Sequence, residues 1–431
     1  MRMVKPVRVL WTLALAAVVL LPMARVAFAN VNDVSTERSG SIIVFPKVVW
    51  DGTRDTIIQI ANTSNNLLHA RCFYVNAAPI NPLFPPGPTN PAQCNETDFD
   101  VWLTRQQPTH WVASEGRSGF VFGSGYGGGD LSGYGGGDLM NENGGFSPGL
   151  IPPVTLGFIG ELKCVQVDAS DAPLRTNALK GEATIRSLSG DVSQYNAVAF
   201  QGNPEFGSTS NDLVLDLTGN HTDGEYSACP DTLLFNHFAE GASDMVISQL
   251  GDCGGVCTAG PTPGKTCASS TECGTGGICG GPCPAPISTE LTLVPCSQNL
   301  ENQVFGKVTV QFLIFNEFEQ PFSTSTTVSC FLNLPLNQIG APGNNSFTYT
   351  VLGTLGAYTR INPNPGNGGV IGVAEELRSA TSGSPTAAAI FNLHTEGNRF
   401  DAASNGKGQL LNCPTPGQAP CATDQIIVPE P

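Results

Sequence analysis

Five side chains have the chemistry of a hydrolytic site. Asp98, Asp100 and Glu161 could act as the carboxylate pair that cleaves a glycosidic bond. His237 and Glu240 are spaced to share one face of a helix. Each of the five is explained more simply as an edge or turn residue of a β-structure. The sequence therefore assigns no catalytic residue.

Two tryptophans near these carboxylates could form a platform for sugar rings. Trp102 and Trp111 stand on either side of a short polar segment, and aromatic faces stack on apolar ring surfaces. Trp102 falls in a predicted strand beside Phe99 and Leu103, which favours core packing instead.

Common catalytic and nucleotide-binding motifs are missing or misplaced. The chain has no His-Glu-x-x-His zinc motif. Segment Ala259–Thr266 fits a relaxed phosphate loop, but it contains Pro261 and Pro263 and lies between Cys257 and Cys267. A phosphate loop needs a strand before it and a helix after it, so we interpret the match as chance.

A tandem octapeptide, Ser124–Leu131 and Ser132–Leu139, carries a Gly-Gly-Asp sequence in each copy. Calcium-binding β-rolls use nine-residue repeats in larger numbers. The repeat therefore predicts a flexible insertion from Gly116 to Gly149, in which the octapeptide repeat, Ser124–Leu139, is dispensable for folding. No cofactor is expected. Calcium is the one ion whose binding remains an alternative, because the composition is acidic.

The chain has 14 cysteines, an even number that is typical of disulfides in an exported protein. No Cys-x-x-Cys pair occurs, which disfavours zinc and iron–sulfur sites, so no metal ligand is assigned. The predicted bridges are Cys72–Cys94, Cys164–Cys229, Cys296–Cys330 and Cys413–Cys421. The connectivity of six further cysteines is left open: Cys253, Cys257, Cys267, Cys273, Cys279 and Cys283.

The first 29 residues have the pattern of a secretory signal peptide. Arg2, Lys5 and Arg8 precede an apolar stretch from Val9 to Ala24, and small residues precede the predicted cleavage after Ala29. The alternative, a membrane anchor, is disfavoured because the apolar stretch is short. We therefore predict a secreted or cell-surface protein, with the periplasm as the alternative, and no membrane-spanning segment after signal removal.

The mature chain is strongly acidic. Removing the signal leaves 16 basic and 36 acidic residues, a net charge of −20. Such a surface repels nucleic acids and anionic lipids. The remaining partners are a second copy, a surface polysaccharide or another protein.

Composition and periodicity predict an all-β fold. The chain has 50 Gly and 33 Pro among 431 residues, and short alternating segments are bounded by turn residues. Segment Val373–Ala380 is the one predicted helix, and Phe158–Val167 and Ser346–Val351 are among the predicted strands. The predicted organisation is two antiparallel Ig-like β-sandwich domains over residues 30–250 and 286–412, separated by a disulfide-rich module at 251–285 and followed by a tail at 413–431.

Five segments carry a resemblance to other proteins: Ser41–Val48, Asp55–Ser64, Arg71–Asn76, Thr104–Trp111 and Gly157–Asp168. They resemble a group of uncharacterised exported proteins of Gram-negative environmental bacteria. The resemblance implies an extracytoplasmic, β-rich protein and assigns no role to any residue. The terminal Val428–Pro431 is similar to the start of a PEP-type C-terminal sorting motif, although no transmembrane helix or basic cluster follows it.

These observations predict an exported structural or adhesive protein without catalytic activity. The alternative is a secreted carbohydrate-binding or carbohydrate-active protein. A cleft that joins two carboxylates to an exposed tryptophan would favour the alternative.

Overall fold

Antiparallel β-strands make up almost all of the regular structure in the computed structural model. It describes residues 34–81, 90–117, 149–188, 190–202, 213–215, 226–227, 229–230, 232–242, 256–265, 267, 270–280, 287–340, 346–364, 368–379 and 385–396. The predicted signal peptide, the octapeptide repeat, the tail, and Cys253, Cys283, Cys413 and Cys421 lie outside these ranges. No helix within them is long and apolar enough to cross a membrane.

The first nine strands form one open sheet in the order β4-β3-β6-β1-β2-β7-β8, with β5 on β2 and β9 on β1. The strands are β1 (Ile42–Trp50), β2 (Arg54–Asn62), β3 (Leu68–Asn76), β4 (Asn95–Leu103), β5 (Pro108–Val112), β6 (Phe158–Val167), β7 (Leu179–Ser187), β8 (Val192–Asn196) and β9 (Val198–Phe200).

Strand β1 is buried on both of its faces, which explains its nearly continuous apolar sequence. Ile43 and Phe45 lie in one core cluster, and Ile42 and Val44 lie in another on the opposite side. Lys47 interrupts the apolar run and is nevertheless fully buried. A buried amine requires a partner, so this residue marks a polar site inside the molecule.

The remaining strands form two larger sheets and two small pairs. The larger sheets have the orders β17-β16-β19-β11-β22 and β18-β14-β20-β21, and β10 pairs with β15 and β12 with β13. The strands are β10 (Val214–Leu215), β11 (Thr232–Phe238), β12 (Val256–Ala259), β13 (Ile278–Gly280), β14 (Ile287–Pro295), β15 (Gln298–Asn299), β16 (Lys307–Asn316), β17 (Pro321–Ser329), β18 (Leu332–Pro335), β19 (Gly356–Pro363), β20 (Val370–Ser379), β21 (Pro385–Asn392) and β22 (His394–Glu396). The helical elements in the described ranges are α1 (Tyr349–Leu352) and two 3₁₀ turns, Ser270–Cys273 and Leu336–Gln338.

The four-stranded sheet packs on both of the larger neighbouring sheets. Leu291 and Ala374 on one face meet Phe312 of the five-stranded sheet in a shared core. Val294 and Ile371 on the other face lie in a cluster with residues of β1, β6 and β9. The four-stranded sheet therefore makes apolar contacts with the five-stranded sheet on one face and with the nine-stranded sheet on the other.

Three features of the predicted fold differ from the structure. Val373–Ala380 is not helical, because Val370–Ser379 forms β20, which pairs with β14 on one side and β21 on the other. Ser346–Val351 is not a strand, because α1 occupies Tyr349–Leu352. Strand β11 precedes the predicted boundary at residue 250, yet it pairs with β19 and β22 of the later part.

Six of the cysteines with predicted partners are bridged, and each of the three predicted pairings among them is wrong. The structure joins Cys72 to Cys164, Cys94 to Cys330 and Cys229 to Cys296. Cys72 and Cys164 lie directly opposite each other on β3 and β6, so strand register decides that pairing. In the disulfide-rich module, the bridges are Cys257–Cys273 and Cys267–Cys279.

Candidate functional site

The three carboxylates proposed as a glycosidase pair do not share a solvent-filled site. Glu161 is 1% exposed and accepts a hydrogen bond from Lys163 Nζ at 2.5 Å. Burial raises the pKa of Glu161, and the charge of Lys163 acts against that rise. Asp98 and Asp100 are exposed on β4, where Asp98 contacts Arg71 at 2.5 Å. The acid and base of a hydrolase are therefore not assembled from these residues.

His237 is a core histidine with both ring nitrogens in hydrogen bonds. Nδ1 lies 3.0 Å from the backbone oxygen of Phe238, and Nε2 lies 2.9 Å from Oγ1 of Thr359. Burial lowers the pKa of His237 to about 4, so the ring is neutral at physiological pH. Since His237 lies within strand β11 (Thr232–Phe238) rather than on a helix, it does not share a helical face with Glu240.

The two tryptophans lie in separate surroundings. Trp111 is fully buried, and its Nε1 donates a hydrogen bond to the hydroxyl of Tyr74 at 2.6 Å. Trp102 is half-buried and lies on the other side of β4 from the core residues Val101 and Leu103. No sugar platform therefore forms from this pair. The predicted core packing is confirmed for Trp111 and wrong for Trp102, whose side chain lies on the opposite face of β4.

Trp102 instead stacks on His69, with ring centroids 3.8 Å apart and planes 6° from parallel. The ring of His69 lies between two acceptors, the backbone oxygen of Asp168 at 2.8 Å and Oδ1 of Asp100 at 3.0 Å. Burial opposes the charged ring, but the hydrogen bonds to Asp100 and Asp168 outweigh burial, so the pKa of His69 is raised. Two hydrogen-bond acceptors and a stacked aromatic ring therefore favour the protonated form of the His69 side chain.

Among the residues that the structure describes, two groups of side chains have the spacing of a metal site. The ligand atoms of His69, Asp100 and Asp171 lie within 4.8 Å of one another. Arg71 lies 3.3 Å from the carboxylate of Asp171, so a guanidinium already supplies positive charge there. The second group consists of Cys257, Cys267 and Cys273, but their sulfurs are oxidised in disulfides and do not offer thiolates.

A cleft of about 400 Å³ lies where β11 and β16 end and β19 begins. Phe315 and Tyr358 face each other across β16 and β19, with ring centroids 6.3 Å apart. Asn236, Glu317 and Glu376 add polar groups to the lining. Aromatic rings beside carboxylates and an amide can hold the C–H face and the hydroxyl groups of a sugar. Sequence reasoning missed this site, because Asn236, Phe315 and Tyr358 come from three strands that lie far apart in the sequence.

A buried ion network joins the first sheet to the four-stranded sheet. Lys47 Nζ lies 2.5 Å from carboxylate oxygens of both Glu290 and Glu375, and Arg54 Nη1 lies 3.3 Å from Glu375. The hydroxyl of Tyr195 accepts a hydrogen bond from the backbone N–H of Lys47 and donates one to its carbonyl oxygen. The two glutamates therefore balance the charges of the buried amine and the guanidinium.

No protein-family model and no curated protein matches the chain. One solved structure with weak similarity is the apo form of a Pleurotus ostreatus lectin, at 12% sequence identity and a TM-score of 0.14. That match covers 82% of this chain and 77% of the lectin chain. A TM-score this low relates neither the fold nor the function of the two proteins.

Proposed function

We propose that the chain is an exported structural or adhesive protein without catalytic activity, in which two Ig-like sandwich domains provide a rigid support. The observation that carries this proposal is the double connection between the sheets. Cys94–Cys330 links the N-terminal and C-terminal parts covalently, and Lys47 with Glu290 and Glu375 links them through buried charges. A support that bears load outside the cell needs sheets that do not separate.

The placement of the hydrolase candidates supports the non-catalytic part of the proposal. Glu161 is buried against Lys163, His237 is neutral in a core, and Asp98 and Asp100 lie on an exposed strand. A general acid and base must both reach the same substrate bond. The proposal includes neither a cofactor nor a nucleic-acid partner. Calcium is the one ion whose binding should be tested.

Attachment assays test the proposal. Beads coated with the purified oxidised chain should bind to cells or surface polymers of the producing organism, and uncoated beads should not. The same preparation should leave common ester, peptide and glycoside substrates intact. Turnover of any of these substrates, retained after repurification, would replace the structural role with an enzymatic one.

Carbohydrate binding is the second candidate, and the cleft with Phe315 and Tyr358 favours it. Glycan binding measured on an array should be lost in Phe315→Ala and reduced in Glu317→Gln, because these residues line the cleft. Phe318→Ala is the matched control, since Phe318 is 73% exposed and does not belong to the lining. Equal binding by all three variants would exclude this cleft as the sugar site.

A further inference from the structure

The turn between β16 and β17 fixes the position of Glu317. Oδ1 of Asn316 accepts hydrogen bonds from the backbone N–H groups of Phe318 and Gln320 at 3.0 and 2.9 Å. Oε1 of Glu317 accepts a hydrogen bond from the backbone N–H of Gly356 at 2.8 Å. A Cβ atom on Gly356 would lie 3.1 Å from that oxygen, so glycine permits this close approach. The carboxylate of Glu317 is therefore held against the start of β19.

Glu317 is an acidic residue of the cleft without a cationic partner. It is exposed, and no Lys, Arg or His side chain of the described residues forms an ion pair with it. Glu376 is the other acidic residue of the lining. His237 also lines the cleft, but its ring is neutral because burial lowers its pKa to about 4. The described lining therefore carries negative charge and no positive charge.

An aromatic strip lies beside this carboxylate. Phe315 and Tyr358 are half-buried and lie opposite each other on β16 and β19, and Asn236 lies opposite Tyr358 on β11. The three residues span two strand spacings, ~10 Å. Aromatic faces attract both apolar ring faces and cations. A ligand that combines an apolar ring face with a positive charge fits this lining better than a ligand that has either feature alone.

We propose that the cleft binds a sugar unit with a protonated amino group, as part of a polysaccharide of amine-bearing sugars. The ammonium group donates a charge-assisted hydrogen bond to Glu317, and the ring face lies against Phe315 and Tyr358. A neutral sugar lacks that hydrogen bond, and an acidic sugar is repelled. The net charge of −16 on the whole chain also attracts a cationic polymer. The inference rests on the carbohydrate-binding candidate and names the class of its ligand.

Isothermal titration calorimetry of the purified oxidised chain with three probes tests the ligand class. The probes are a linear glucosamine tetramer, the same tetramer with every amine acetylated, and tetralysine. We expect the glucosamine tetramer to have the lowest Kd. Acetylation keeps the rings and the linkages but removes the charge, and it should raise Kd about fivefold. Tetralysine has the charges without the ring faces and should bind more weakly than the glucosamine tetramer.

Two variants distinguish the cleft from the acidic surface as a whole. Glu317→Gln should raise the Kd of the glucosamine tetramer about fivefold and leave the Kd of the acetylated tetramer unchanged. Glu319→Gln is the matched control, because Glu319 is exposed in the same turn and does not belong to the lining. It removes the same charge and should change neither Kd. Melting temperatures of both variants, measured in parallel, separate misfolding from lost contact.

Four results would overturn the proposal. Equal Kd values for the two tetramers would show that the cleft does not recognise the amine, although carbohydrate binding would stand. Tetralysine binding as tightly as the glucosamine tetramer would make the cleft a site for basic peptides. Equal effects of the two glutamine variants would assign binding to the acidic surface as a whole. If neither tetramer binds, the carbohydrate candidate fails as well, and the attachment of coated beads still tests the structural or adhesive role.

Discussion

Glu240 gives the sharpest prediction on stability. Its carboxyl is 4% exposed and accepts hydrogen bonds from the backbone N–H of Thr289 at 2.5 Å and the hydroxyl of Ser288 at 3.1 Å. Burial raises the pKa of Glu240 from 4.5 to about 7, although both hydrogen bonds act in the opposite direction. The folded chain therefore holds this proton at pH values where the unfolded chain has released it.

This difference makes the free energy of unfolding depend on pH. Below pH 4.5 the carboxyl is neutral in both states, and its contribution to stability is fully present. As the pH rises through about 7, the free energy of unfolding falls, because the carboxylate is hydrated in the unfolded state and buried in the folded state. A pKa difference of roughly 2.5 units corresponds to about 3 kcal/mol. The loss should begin near pH 4.5 and be complete above pH 7.

Urea unfolding of wild type and Glu240→Gln at pH 4.5, 6 and 8 measures the effect. A glutamine cannot ionise, so the stability difference between variant and wild type should shift by about 3 kcal/mol in favour of the variant from pH 4.5 to 8. Glu37→Gln, at an exposed position, is the control and should show no such shift. A constant difference between Glu240→Gln and wild type across this range would refute the reasoning.

Three further predictions concern the connections between strands. Replacing Cys94 and Cys330 together by serine should lower the free energy of unfolding by about 3 to 5 kcal/mol, measured in urea with the other disulfides intact. Lys47→Met should lower the free energy of unfolding by about 3 to 5 kcal/mol, because it leaves two buried glutamates without their amine partner. An unchanged free energy of unfolding in urea would contradict that. The stabilisation by His69 should be present below pH 6.5 and lost as the pH rises through its raised pKa. Asp100→Asn should lower the pKa of His69 in an NMR titration, because the hydrogen bond to Asp100 and its charge contribute to the raised value.

Local sequence patterns predicted the strands well where alternation and burial agree. Phe158–Val167 was predicted with the bounds that β6 has in the structure. The pattern failed at Val373–Ala380, a segment that contains two glutamates, two alanines and a leucine, all of which favour a helix. In the fold, pairing with β14 and β21 outweighs that local preference. The strand prediction at Ser346–Val351 failed because the chain forms a single helical turn at Tyr349–Leu352. Gly353, with a φ of 68°, ends that turn.

Contacts between distant segments were beyond local patterns. The pairing of Cys72 with Cys164 depends on the register of β3 and β6, which are separated by a long insertion. Lys47 stood out in the sequence only as one charge within an apolar run, and its partners Glu290 and Glu375 lie more than 240 residues away. Sequence spacing alone contains no information on which sheet faces meet.

We propose an exported protein whose N-terminal and C-terminal parts are connected by a disulfide. Peptide mapping without reduction, on protein recovered from outside intact cells of the producing organism, tests this proposal. We expect linked peptides that contain Cys94 with Cys330 and Cys72 with Cys164. Protein retained in the cytoplasm, with free thiols at these four positions, would contradict it.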